Sequence, residues 1–317
     1  MPGNRRGERM TWRSIQDPLY PWTRTLDRIL QAMASPSLNG PTIVIASDYG
    51  GTHQQSRYRV DVHLYVDLAA SAEWEISRRE VRTCYLADGR RMSYKNLSDR
   101  QRAKALVPFL SASETIHGFC LVTIFNRTLR HLCLRTDDHD KMRGAADLQA
   151  KWKDRELEEA VRTTHIVARL VGGLSYPGQN IYWISDEDDL FANLERKHDM
   201  ARMLSSFSSH YTHHALGELG IGTTALDEGD RHEEDLTAVA DLIAGGIAET
   251  TNRLAEACGG RIPTNLAIEY TKEFLPKADT IVRWFWTGTG ELRRVAILFE
   301  QQPENQYSVS RYAMEIG

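Results

Sequence analysis

Apolar positions along this chain recur with two periods, one of two residues and one near 3.6, and the changes between them mark out its elements. The run PWTRTLDRILQAMASP sets Leu26, Ile29, Leu30 and Met33 on one side of a short helix, opened by Pro21 and closed before Pro36. TIVIASDYGGTH is almost continuously apolar and β-branched, which predicts a central strand buried on both faces and broken by Gly50 and Gly51 just after Asp48. RYRVDVHLYVDL alternates and predicts a second strand with one exposed face, and EISRREVRTCYL supplies a third. Three strands in succession predict an antiparallel meander.

Ser98 and Asp99 then cap a helix, DRQRAKALVPFLSAS, shortened or kinked at Pro108, and GFCLVTIFN is a further apolar strand. Residues 144–172 carry a long helical pattern ending at paired glycines, NIYWISDEDD is the fifth strand, and a polar helix follows over residues 187–206. A loop rich in Gly and Thr leads to EEDLTAVADLIAGGIAE, residues 233–249, where Leu236, Val239, Ala240, Ile243, Ala244 and Ile247 recur at helical spacing. The tail is different in kind. DTIVRWFWTGTGELRRVAILFE reads as a two-stranded hairpin about TGTG, an appended β element that covers an edge or forms a contact surface.

At 317 residues the chain can bury a large core as one elaborated domain. With 41% hydrophobic and 26% charged residues it has the composition of a folded globular protein, and a formal charge of −4 excludes a polycation that coats nucleic acid indiscriminately. Contact with nucleic acid would need a local basic patch. Candidates are Arg78, Arg79 and Arg82, then Arg90, Arg91 and Lys95, then Arg100, Arg102 and Lys104, all of which also read as a solvated charged face. Cys84, Cys120, Cys133 and Cys258 lie far apart without CxxC spacing, and read as reduced thiols, three of them among apolar neighbours. The polar start MPGNRRGERMTWR lacks the apolar run of a signal peptide, and no stretch reaches the roughly 20 apolar residues of a membrane span, so a cytoplasmic protein with no membrane partner is expected.

Asp241 changes the picture most, because it interrupts the apolar stripe of its helix. An ionised carboxylate is costly to bury unless a cation or a donor meets it. Asp48 ends the strand TIVIASD and Asp186 ends the strand NIYWISD, so acids delivered from two strand ends and one helix could form a metal site. Each has a plainer reading: Asp48 as a turn former, the acids at 186–189 as the cap and first turn of the next helix, and Asp241 as the partner of an arginine. His210, His213 and His214 share helical spacing, but no Cys or His pair lies at zinc-finger distance. They read as a polar loop, with His210 or His213 as a proton carrier the open alternative.

Ser47-Asp48-Tyr49-Gly50-Gly51, followed much later by Ala238-Val239-Ala240-Asp241-Leu242-Ile243-Ala244-Gly245, resembles the paired motifs of the bacterial family labelled domain of unknown function 3800, within the ribonuclease H-like superfamily. The similarity spans roughly residues 40–250, and Tyr49 stands where that family carries Glu. The resemblance implies an α/β fold, a mixed five-stranded sheet flanked by helices, with the C-terminal β-hairpin appended. It divides the chain into an N-terminal arm and helix (1–39), the ribonuclease H-like domain (40–258) and a β extension of the same domain (259–317). It implies hydrolysis of nucleic-acid phosphodiesters with Mg²⁺ or Mn²⁺, in a bacterial defence or mobile-element setting. Asp48 would bridge two ions, with Asp186 and Asp241 holding one each and Glu187 or Glu234 supplying a further oxygen. The competing expectation is a catalytically eroded subunit that docks a partner protein through its C-terminal hairpin.

Overall fold

The chain alternates helices and strands in the order α1 (Pro21–Gln31), β1 (Thr42–Gly50), β2 (Tyr58–Asp67), α2 (Ala72–Tyr85), α3 (Arg100–Ser113), β3 (Gly118–Asn126), α4 (His139–Ala145), α5 (Asp154–Leu174), β4 (Asn180–Ser185), α6 (Leu194–Tyr211), β5 (Leu219–Thr223), α7 (His232–Ala257), β6 (Ile268–Glu269), α8 (Pro276–Thr287), β7 (Leu292–Gln301), β8 (Tyr307–Tyr312) and β9 (Met314–Glu315). The computed structural model describes residues 20–33, 36–134, 138–186, 189–227, 229–262, 268–269 and 275–315. Seven strands form one mixed sheet in the order β5-β4-β1-β2-β3-β7-β8, and β6 and β9 pair separately. β1, β2 and β3 are mutually antiparallel neighbours, whereas β4 runs parallel to β1, β5 to β4 and β7 to β3. The carboxyl ends of β1, β3, β4, β5 and β7 therefore emerge at one edge of the sheet.

Strand alternation sends the two sides of β1 into different cores. Val44 and Ala46 pack with α2, α3, α7 and α8, while Ile43 and Ile45 pack with α1, α5 and α6. Helices cover both faces, so β2 is buried along its whole length rather than exposed on one side as its alternation suggests. Small residues set how closely α7 lies on the sheet. A Cβ on Gly50 would stand 2.4 Å from the Ala244 carbonyl oxygen, so α7 crosses β1 directly above the strand end that carries Asp48.

Several predicted elements differ in the folded chain. EISRREVRTCYL is not a third strand but most of α2: Trp74, Arg78 and Val81 bury one helical face, and Glu75 pairs with Arg78 and Arg79 one turn on. The three-stranded antiparallel unit exists, with β3 as its third member and α2 and α3 inserted before it. DTIVRWFW forms α8, because Ala278, Ile281, Val282 and Phe285 recur at helical spacing after Pro276, which outweighs the strand propensity of its Ile, Val and Trp. Trp284 and Trp286 thus lie on a helix. The C-terminal hairpin is made instead by β7 and β8, and β7 extends the main sheet through its parallel pairing with β3. The long pattern at 144–172 is two helices, α4 and α5, and the polar helix begins later, at Leu194, with the Asn193 side chain accepting from the Arg196 N–H as its cap. β5 emerges from the Gly- and Thr-rich loop as an edge strand, giving seven strands in place of five.

Candidate functional site

Two adjacent parallel strands and one helix place the three predicted acids around one cavity. Ser47 of β1 is level with Ser185 of β4, so Asp48 and Asp186, the next residues, lie at the same end of neighbouring strands. Asp48 lies inside β1, opposite Val62, and does not begin a turn. Asp48, Asp186 and Asp241 line one cavity of about 990 Å³ at that edge of the sheet, a placement common for ligand sites in α/β proteins.

The groups around each acid differ. Asp241 accepts the backbone N–H of Tyr94 at 2.6 Å and shares a hydrogen bond with the Asp48 carboxyl group. Burial raises the Asp241 carboxyl above the ordinary aspartate value. The Tyr94 N–H, Asp48, the Arg91 charge and the Ser93 hydroxyl pull against that shift without cancelling it. Asp186 is held by both terminal nitrogens of Arg91, each at 3.1 Å, and by the Thr224 hydroxyl at 3.2 Å. The Arg91 guanidinium, partly desolvated, is raised overall by Asp186, with Glu234 and Asp241 adding to the effect. The expected arginine partner of Asp241 therefore exists as a neighbouring field, while its direct bonds go to Asp186.

Glu234 does not join the cavity. Two turns along α7 set it about 10 Å from Asp241, and it accepts from Arg231 at 2.9 Å and from Arg82 at 3.4 Å. Glu187 lies outside the described residues. The first basic cluster is consumed internally: Arg78 and Arg82 converge on Asp235, with Glu75 and Asp230 closing the network. His210 and His213 are exposed, and His214 bonds Ser175, so none of the three faces the acids. All four cysteines are free, two of them, Cys84 and Cys258, exposed rather than set in the core. No described helix is long and apolar enough to cross a membrane.

Residues not singled out from the sequence complete the wall. The Tyr94 ring lies against Gly245, where a Cβ would meet it at 2.2 Å, and its hydroxyl donates to Glu249 at 2.6 Å. Lys277 stands 4.1 Å over the same ring and bonds the Tyr94 carbonyl. Asp241, Gly245, Glu249, Asn252 and Glu256 form the cavity-facing stripe of α7. That stripe was legible as residues three and four apart on one helix face, hidden by the stronger apolar stripe beside it. Tyr49 sits under the Arg59 guanidinium, 5.0 Å from its ring centre, and packs into the core of the α5 face.

The oxygen donors suit a hard divalent cation at Asp48 and Asp241: two carboxyl groups close enough to share a hydrogen bond need a proton or a cation between them. Among the described residues no set of three His, Cys, Asp or Glu side chains converges as a ligand group, and Asp186 is bonded to Arg91. No protein-family model matches this sequence, and no curated protein matches it significantly.

Proposed function

We propose that this chain is a divalent-cation-dependent phosphodiester hydrolase acting on nucleic acid, with a ribonuclease H-like core. The observation that carries the reading is the Asp48–Asp241 pair, held by a strand end and a crossing helix in the wall of a large cavity, with Asp186 on the adjacent parallel strand. The antiparallel β1-β2-β3 unit extended by parallel β4 and β5 supports the fold part of it.

Asp48 and Asp241 would hold the cation, and Asp186 would join them when its oxygens leave Arg91. Bound there, Mg²⁺ or Mn²⁺ supplies an activated water and a Lewis acid for the phosphate. The Tyr94 N–H fixes the orientation of Asp241, and Lys95, Arg253 and Arg91, all in the cavity wall, offer positive charge to a phosphate backbone. Arg91 would exchange Asp186 for a phosphate oxygen, since a guanidinium binds either group through two parallel bonds.

A second reading has its own observation. The two-bond Arg91–Asp186 pair already neutralises one acid, as an eroded centre would, and β8 at the sheet edge could then pair with another chain. Incubation of labelled single- and double-stranded DNA and RNA with the chain and Mn²⁺ separates the two. Cleavage that disappears in Asp48→Asn and Asp241→Asn supports the hydrolase; Mn²⁺ binding without cleavage of any of the four substrates supports the eroded subunit.

A further inference from the structure

At the same edge of the sheet, but on its α5 face, a second cavity of about 470 Å³ collects arginines. Five of them, Arg59, Arg127, Arg130, Arg155 and Arg162, line it against three acids, Asp154, Glu158 and Glu159, each already bonded to other groups. Glu158 accepts the backbone N–H groups of Leu132, Cys133 and Leu134 at 2.7 to 3.0 Å. Glu159 is shared by Arg59 and Arg155, and Asp154 by Arg143.

Arg162 is the residue that the fold itself does not explain. It is 4% exposed, its guanidinium makes no hydrogen bond among the described residues, its Nε is orphaned, and its nearest acid oxygen, Asp61 Oδ2, is 3.9 Å away on a carboxylate whose other oxygen holds Arg59. It stacks 4.1 Å over Phe125 with its polar edge in the cavity wall. Burying a guanidinium without hydrogen bonds is unfavourable, which points to an anionic ligand that completes it. Arg127 gives one terminal nitrogen, Nη1, to the His53 and Ser56 carbonyls, and burial together with the Arg155 and Arg59 charges holds its guanidinium below the ordinary value against the opposing Glu159. Arg130 is exposed and has no acid partner among the described residues. Leu129 and the rings of His131 and His139, edge to face at 6.4 Å, give the cavity a less charged side.

We propose that this cavity binds a nucleotide, its phosphate between Arg127, Arg130 and Arg162 and its base toward Leu129 and the two imidazoles. The volume lies within the range of small-ligand pockets, and the forked donors of three arginines match phosphate oxygens. The site stands apart from the acid cavity and does not depend on what that cavity does.

Isothermal titration of the full chain in EDTA, with AMP, adenosine and pyrophosphate as probes, tests it. AMP should bind saturably, with adenosine and pyrophosphate each at least about tenfold weaker, and Arg127→Gln and Arg130→Gln should each weaken AMP by about tenfold, as loss of a charged hydrogen bond does. Arg162→Gln should abolish binding; because it changes a buried residue, the exposed Arg130→Gln keeps the test valid if that variant fails to fold. Absence of saturable AMP binding at millimolar concentration overturns the proposal. So does pyrophosphate or adenosine binding as tightly as AMP, binding indifferent to Arg127→Gln and Arg130→Gln, or AMP binding that requires added Mn²⁺, which would assign the nucleotide to the acids.

Discussion

Asp235 and Asp241 lie on the same helix, and burial pushes both carboxyl groups above the ordinary aspartate value, yet they do different work. Asp235 is fully buried and receives Arg82 through two bonds of 2.7 Å and Arg78 at 3.3 Å. Its charge is neutralised inside the fold, and the network ties α2 to the start of α7. Asp241 meets a second acid, a backbone N–H and a hydroxyl, with its nearest guanidinium bonded to Asp186 instead. An acid whose cations come from the protein holds the structure together; one left facing another acid across a cavity is fit to bind a cation from solution.

The largest effect should separate the two at once. Asp235→Ala leaves Arg78 buried beside a missing partner and should cost about 3–5 kcal/mol of stability in guanidinium unfolding, whereas a loss under about 1 kcal/mol would make that network as dispensable as a surface ion pair. Mn²⁺ at a hundredfold excess over its Kd should add about 2.7 kcal/mol to the unfolding free energy. Asp48→Asn or Asp241→Asn should abolish that gain, and a gain that persists in both would move the cation elsewhere. Arg91→Gln frees Asp186 and should tighten Mn²⁺ binding by about tenfold, or ~1.4 kcal/mol; weaker binding would mean that Arg91 helps hold the acid frame.

The pH dependence carries a smaller, signed effect. Because the folded Asp241 carboxyl keeps its proton above the unfolded pKa, the folded state binds more protons in that window, and cation-free stability should fall as pH rises through it. Asp241→Asn should remove its share of the slope in urea titrations at several pH values, while a slope unchanged by the substitution would assign it to Asp235 and other acids. The smallest effect is expected at His213, exposed and remote from the acids: His213→Ala should change neither Mn²⁺ affinity nor stability by more than ~0.5 kcal/mol. A larger loss would reopen the histidine cluster as a ligand set.

Where a segment's own pattern decided its structure, the sequence was read closely. TIVIASDYG, GFCLVTIFN and NIYWIS are strands because their apolar runs are too continuous for a one-sided helix, and the Leu236–Ile247 stripe is a helix. EISRREVR and TIVRWFW misled because short charged or aromatic runs satisfy both periods, and their partners on other elements chose the helix. β5 and the close approach of α7 depend on glycines, whose role is set by what lies opposite: the Ala244 carbonyl at Gly50 and the Tyr94 ring at Gly245.

By itself the sequence determined that Asp48 lies near the end of one buried strand, that Asp186 follows another and that Asp241 interrupts an apolar helix face, since local hydrophobic periodicity places a residue on its own element. Only the tertiary structure decided that Asp241 meets Asp48 while Asp186 meets Arg91, that Glu234 belongs to an arginine network, and that the buried Arg162 Nε has no hydrogen-bond partner among the described residues. The reason is physical: the partner of a buried charge is chosen by contacts between elements far apart in the chain, and a pattern with a period of a few residues carries no record of them.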